Sequence, residues 1–186
     1  MSAQRQPSME SWRHKMATYT LIESQVLGST TASVTFSAID QTFTDLVLKY
    51  SPRGSAAYAA SNLIMKFNGS TSGYSDRLLY TNNGTSALSY GQSAQAQSDL
   101  QYLNQATSTA NTFSNNEIYI PNYTSANYKS FSSETAAEDN ATAAILGVDA
   151  GLWSNAAAIT SIYLAPNTGS FVQYSSFYLY GISNTI

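Results

Sequence analysis

Short runs of alternating apolar and polar residues, each cut off within about ten positions by Gly, Asn, Pro or Ser, limit what this chain can become. Alternation of period two belongs to a half-buried β-strand, and such dense punctuation leaves little space for long helices. Ser33 to Ile39 sets Val34 and Phe36 on one face. Asp45 to Tyr50 sets Leu46, Leu48 and Tyr50 on one face and ends at Ser51-Pro52-Arg53-Gly54, a turn sequence. Leu63 to Phe67 repeats the pattern with Lys66 outward and stops at Asn68-Gly69. Tyr19 to Leu27, Tyr74 to Tyr80, Glu117 to Ile120, Tyr128 to Ser133, Ala141 to Val148 and Ile159 to Leu164 read the same way. Phe171 to Ile182 is the longest run, with Phe177 and Leu179 on one face and Tyr178 and Tyr180 on the other. Nine or ten strands with almost no helix predict an all-β antiparallel sandwich, and a jelly roll fits that count best.

Residues 82–116 break the pattern. They hold one charge, Asp99, and are dense in Ser, Thr, Asn, Gln and Ala. Ser98-x-x-Gln101 resembles a capping box, and Ala96, Leu100 and Leu103 share one helical face. The reading here is one short helix or a long polar insertion. Residues 1–15 also stand apart, with Arg5, Arg13 and Lys15 against Glu10. They read as a flexible tail ahead of a single domain over 16–186. Their functional reading is a basic docking arm of Arg5, Arg13 and Lys15, anchored by Trp12.

Composition removes several chemistries. The 186 residues include no Cys and one His, so no disulfide framework, thiolate metal site or histidine cluster is expected. A Ser-His-Asp triad would depend on His14, within the tail. A net charge of −3 and a pI near 4.9 argue against nucleic acid as a partner. No apolar run reaches the roughly 20 residues of a membrane helix. Charged residues are only 10%, against roughly 25% in ordinary domains, while aromatics reach 12%.

The carboxylates offer no catalytic pair. Glu134, Glu138 and Asp139 cluster, but nothing sets a second acid opposite them as a glycosidase requires, and they read as a solvated loop. Asp139, Asn140 and Asp149 have calcium-type oxygens without a calcium-loop spacing and read as turn acids. Asp76 and Arg77 read as a sheet-edge or surface pair. No phosphate loop is present, since Gly69 and Gly73 lack the following Lys and helix. The sequons at Asn68, Asn83, Asn122 and Asn140 are what a chain this rich in Ser, Thr and Asn produces by chance. No catalytic residue, metal or cofactor is therefore expected. Trp153, with Asn155 beside it, is either a core tryptophan between two sheets or a platform for a sugar ring. Tyr174 and Tyr178 are further candidate glycan or interface contacts.

Several segments resemble small β-sandwich structural proteins of tailed bacteriophages. They are Met16-Ala-Thr-Tyr-Thr-Leu-Ile-Glu23, Thr44-Asp-Leu-Val-Leu48, Arg77-Leu-Leu-Tyr80, Ile118-Tyr-Ile-Pro-Asn-Tyr123, Lys129-Ser-Phe131 and Asn140-Ala-Thr-Ala143. Gly151-Leu-Trp153, Ala158-Ile-Thr-Ser-Ile162 and Phe177-Tyr-Leu-Tyr-Gly-Ile182 complete the set. The resemblance covers most of 16–182, weakens over 82–116 and excludes the first 15 residues. It implies a non-enzymatic virion component, assembled in the bacterial host cytoplasm. That component would be a capsid decoration (cement) protein or a tail- or fibre-associated module. The implied partners are the major capsid protein or tail proteins, together with copies of the same chain, a trimer by analogy. The alternative is a carbohydrate-binding module that contacts host glycans.

Overall fold

The computed structural model describes residues 17–82, 86–141 and 144–183. The candidate arm of Arg5, Trp12, Arg13 and Lys15, and the Asn83 sequon, lie outside these residues. The described chain is all β, with twelve strands and no helix. These are β1 (Thr18–Val26), β2 (Val34–Phe36), β3 (Asp45–Ser51), β4 (Ala60–Phe67), β5 (Tyr74–Asn82) and β6 (Ser86–Gln95). There follow β7 (Ser98–Asn104), β8 (Asn115–Ile120), β9 (Lys129–Ala137), β10 (Ile145–Trp153), β11 (Ile162–Pro166) and β12 (Ser176–Ser183).

The strands form two antiparallel sheets. The larger has the order β1-β12-β3-β8-β9-β10-β5-β6, the smaller β2-β11-β4-β7. The expected sandwich is therefore present. Alternation fixes which face of each strand turns inward. Leu46, Leu48, Phe177, Leu179 and Ile118 from the large sheet meet Leu63, Met65, Phe67, Ile162 and Leu164 from the small one in one continuous core. Side chains of this kind contribute roughly 1.5–3 kcal/mol each on full burial. Trp153 stacks on Tyr74 at 6.2 Å and tilts against Phe67 at 5.7 Å. The Phe131 ring lies directly over Gly151, where a Cβ would fall 1.9 Å from its Cζ. Glycine is thus required there for close packing.

The region 82–116 is neither a helix nor an insertion. It supplies β6 to the large sheet and β7 to the small one. The helical spacing of Leu100 and Leu103 has a different cause. Leu63 pairs with Leu100 while Asn62 pairs with Tyr102, so β7 carries one extra residue at a bulge. The bulge turns both leucines inward although they are three apart. Ser98 is no helix cap either. Its Oγ donates to Asp76 Oδ1 at 2.6 Å and so ties β7 to β5 across the sandwich.

Arg53 does more than close the turn after β3. Its buried guanidinium donates to the carbonyls of Ala106, Ser108, Thr109 and Thr112 and to Thr112 Oγ1, and this shapes the loop between β7 and β8. Asn68, Asn122 and Asn140 all adopt positive φ. Asn68 Oδ1 also accepts from the N–H groups of Thr160 and Ser161. These asparagines are turn formers, which suits a residue that tolerates the left-handed region.

Candidate docking face

The small sheet covers one side of the large sheet. The other side, here the outer face, follows from strand register. Across β3, β8, β9, β10 and β5 runs the row Lys49, Glu117, Glu134, Val148 and Leu79. Lys49 Nζ lies 2.8 Å from Glu117 Oε2, and this pair raises the lysine pKa. Glu134 is directly opposite Glu117, so two carboxylates share one rung beside a single lysine.

Apolar patches flank this charged row. One contains Leu79, Leu146 and Val148, which are 51%, 63% and 49% exposed. The other contains Tyr19, Leu21, Tyr119 and Tyr180. There Tyr19 meets Tyr180 edge to face at 6.2 Å, and the Tyr119 hydroxyl donates to Asp45 Oδ2 at 2.9 Å. Two shallow grooves lie among these strands. One of about 480 Å³ is lined by Lys49, Glu117, Glu134, Leu146 and Val148. A second of about 420 Å³ is lined by Arg77, Leu79, Ser89 and Val148. Arginine, tyrosine and aliphatic side chains around a charged stripe form a surface suited to another protein.

The inner face beneath β8–β10 has the opposite character. Asp149 is buried, no side chain donates to its carboxyl, and the backbone N–H groups of Arg77 and Ala150 offset its burial only in part. Burial, and then the nearby Asp76 charge, push its pKa up to about 7. Asp76 is satisfied by Ser98, Gln92 and the N–H of Asp99, and burial raises its pKa as well. Ser133 Oγ, Thr135 Oγ1, Asn116 Oδ1 and the Tyr50 hydroxyl are buried without partners. Ser133 pairs with Asp149, Thr135 with Asn116, and Asn116 with Tyr50, so these groups form a polar strip along adjacent strands. Burial, then the Asp149 charge, raise the Tyr50 pKa.

The residues that the sequence points to scatter. Trp153 is buried between the sheets, so it presents no ring to a sugar in solution, and only its core reading stands. Asn155 is exposed but its Oδ1 accepts from the Ala157 N–H, as a turn residue does. Tyr174 is 69% exposed in the turn before β12, at φ 71°. Tyr178 is half-buried on the outer face, opposite Lys49.

Asp76 and Arg77 are not a surface pair. Successive strand residues point to opposite faces, so Asp76 is buried inward and Arg77 faces out. Asp139 and Asn140 sit beyond the end of β9, whereas Asp149 faces the interior from the middle of β10. The calcium trio is thus broken by register. No cluster of three or more His, Cys, Asp or Glu arranged to hold a metal ion occurs among the described residues. Glu138 caps the Asn140 N–H and Asp139 the Ala141 N–H, while Glu134 belongs to the outer face with Glu117.

Leu79, Leu146, Val148 and Glu117 carry no motif that marks them in the sequence. The signal present there is the β10 alternation, which turns Leu146 and Val148 away from Ile145 and Trp153. The chain matches no family model, no curated protein and no solved structure.

Proposed function

We propose that this chain is a non-enzymatic structural protein of a bacteriophage virion, acting as a capsid decoration protein that stabilises a shell through symmetric protein contacts. The segments that resemble phage structural proteins support the virion assignment. The exposed Leu79–Leu146–Val148 patch beside the Lys49–Glu117–Glu134 row carries the docking assignment. Isolated exposed apolar residues are ordinary, but three that adjoin across two paired strands form a patch, and patches mark interaction sites. The partners under this reading are the major capsid protein or a tail protein, and copies of the chain. Repetition over a symmetric particle multiplies a modest contact into firm attachment.

The experiment is attachment to expanded empty heads, read by co-sedimentation and by the heat stability of the heads. The variant L146K/V148K is expected to lose attachment at least about tenfold while melting like the parent, since both positions are exposed. Undiminished attachment by that variant, or a parent that binds neither capsid nor tail protein, overturns the reading. The carbohydrate-binding alternative has lost Trp153 as a platform and retains Tyr174. Saturable glycan binding abolished by Tyr174→Ala would replace the docking reading with it.

A further inference from the structure

The large sheet ends in two unlike edges. β1 is blunted: its register slips between Leu21 and Glu23, it carries the Glu23 charge, and Gln25 Nε2 donates to the Thr35 carbonyl of β2 at 3.0 Å. Bulges and charges are the devices by which edge strands avoid joining other chains. β6, at the far edge, pairs with β5 alone; it too is bulged, between Gln92 and Gln95, but the stretch Ser86–Gln92 is regular, and the strand holds no charge and no proline. On its inner side, Leu88 and Tyr90 are opposite Tyr80 and Leu78 and remain 44% and 56% exposed.

We propose that β6 is a self-pairing edge, which joins the β6 of a second copy antiparallel about a two-fold axis at Ser89. The large sheet then continues from one protomer into the next. The order of side chains selects a second copy as the occupant. About Ser89, the strand sets Leu88 opposite Tyr90, Ala87 opposite Gly91 and Ser86 opposite Gln92. Apolar residues meet apolar and small meet small, and no like charges are brought together, as two-fold pairing of a charged strand would do. Arg77 is the charged side chain that reaches this edge, lying across Gly91 where a Cβ would fall 1.9 Å from its Nη1. The two copies of Gly91 are four residues apart along the joined strands, roughly 14 Å, which keeps the guanidinium groups separate. Pairing of β6 with β1 is opposed by the bulge and Glu23. This inference rests on the reading that the protein works by docking to copies of itself, but it uses an edge distinct from the outer face.

The chain has no cysteine, which makes the register directly measurable. Under mild oxidation Ser89→Cys is expected to give a covalent dimer, because residues directly opposite one another lie within disulfide reach. Ala87→Cys alone is expected to stay uncrosslinked, while Leu88→Cys mixed with Tyr90→Cys crosslinks. L88K/Y90K is expected to weaken dimerisation at least about tenfold by analytical ultracentrifugation, with unchanged melting and retained attachment to heads. Crosslinking of Ser89→Cys no faster than Ala87→Cys, or parent-like dimers from L88K/Y90K, overturns the proposal. So does protection of β6 amides from exchange only when capsid protein is added, which would give the edge to a different chain. Failure of crosslinking with head attachment intact removes the edge contact alone. Loss of attachment in the parent removes the docking reading itself.

Discussion

The half of the large sheet built from β12, β3 and β8 turns Phe177, Leu179, Leu46, Leu48 and Ile118 inward and shows Tyr178, Lys49 and Glu117 outside. The half built from β9, β10 and β5 turns Ser133, Thr135, Asp149 and Asp76 inward, and shows Leu79, Leu146 and Val148 outside. Apart from the Tyr50 hydroxyl and the Asn116 amide, polarity and burial follow each other in the first half, whereas they part company in the second. The first half is held mainly by apolar burial. The second retains buried polar atoms without partners, each of which costs about 1–3 kcal/mol relative to a satisfied one. It also leaves apolar side chains in water that association would cover. Under the proposed docking reading, stability and attachment fall to different ends of one sheet.

The largest effect is expected in the first half. Phe177 is fully buried, packs on Phe171 at 4.9 Å and stacks with Tyr50 at 6.1 Å. Phe177→Ala should cost about 3–5 kcal/mol in urea unfolding, and a loss below about 1 kcal/mol would erase the contrast between the halves. The next effect is pH dependence from the second half. The folded pKa of Asp149, about 7, stands above its ordinary 3.8. The protonated acid is therefore favoured by folding. Its contribution is complete below about pH 4 and is lost as pH rises through about 7. At 1.36 kcal/mol per unit the loss is up to about 4 kcal/mol, and the raised pKa of Asp76 acts in the same sense. Urea melts should show lower stability at pH 8 than at pH 5. Asp149→Asn should flatten that difference, whereas a Phe177 variant should keep it. The least change is expected at Thr135. Thr135→Val keeps the shape and removes a partnerless hydroxyl, so it should be neutral or stabilising by about 1 kcal/mol. A loss of more than about 1 kcal/mol would mean that this hydroxyl is satisfied by bound water.

The first half is legible in the sequence because its strands alternate over most of their length, with Val47, buried on the outer face, an exception. Phe177 and Leu179 against Tyr178 and Tyr180 fix both faces of β12 from the residue pattern alone. β7 is not legible, because a single bulged residue changes period two into an apparent helical period at Leu100 and Leu103. β6 lacks a signal of its own, since an edge strand with few buried side chains has little apolar pattern to show. The interior position of Asp149 depends on which strands neighbour β10. A strand order of β9-β10-β5 is a long-range fact that local periodicity does not contain. Trp153 is readable from sequence only as two alternatives, and packing against Tyr74 and Phe67 decides between them.

Arg53 gives the end of the sandwich an unusual constancy. Its guanidinium is clasped by neutral carbonyl oxygens, so protonation cannot release it and dissolved ions find no carboxylate to compete for. The knob formed by residues 106–112 should therefore keep one contour from fresh water to brine and from mild acid to mild alkali, even as Asp149 changes charge in the interior.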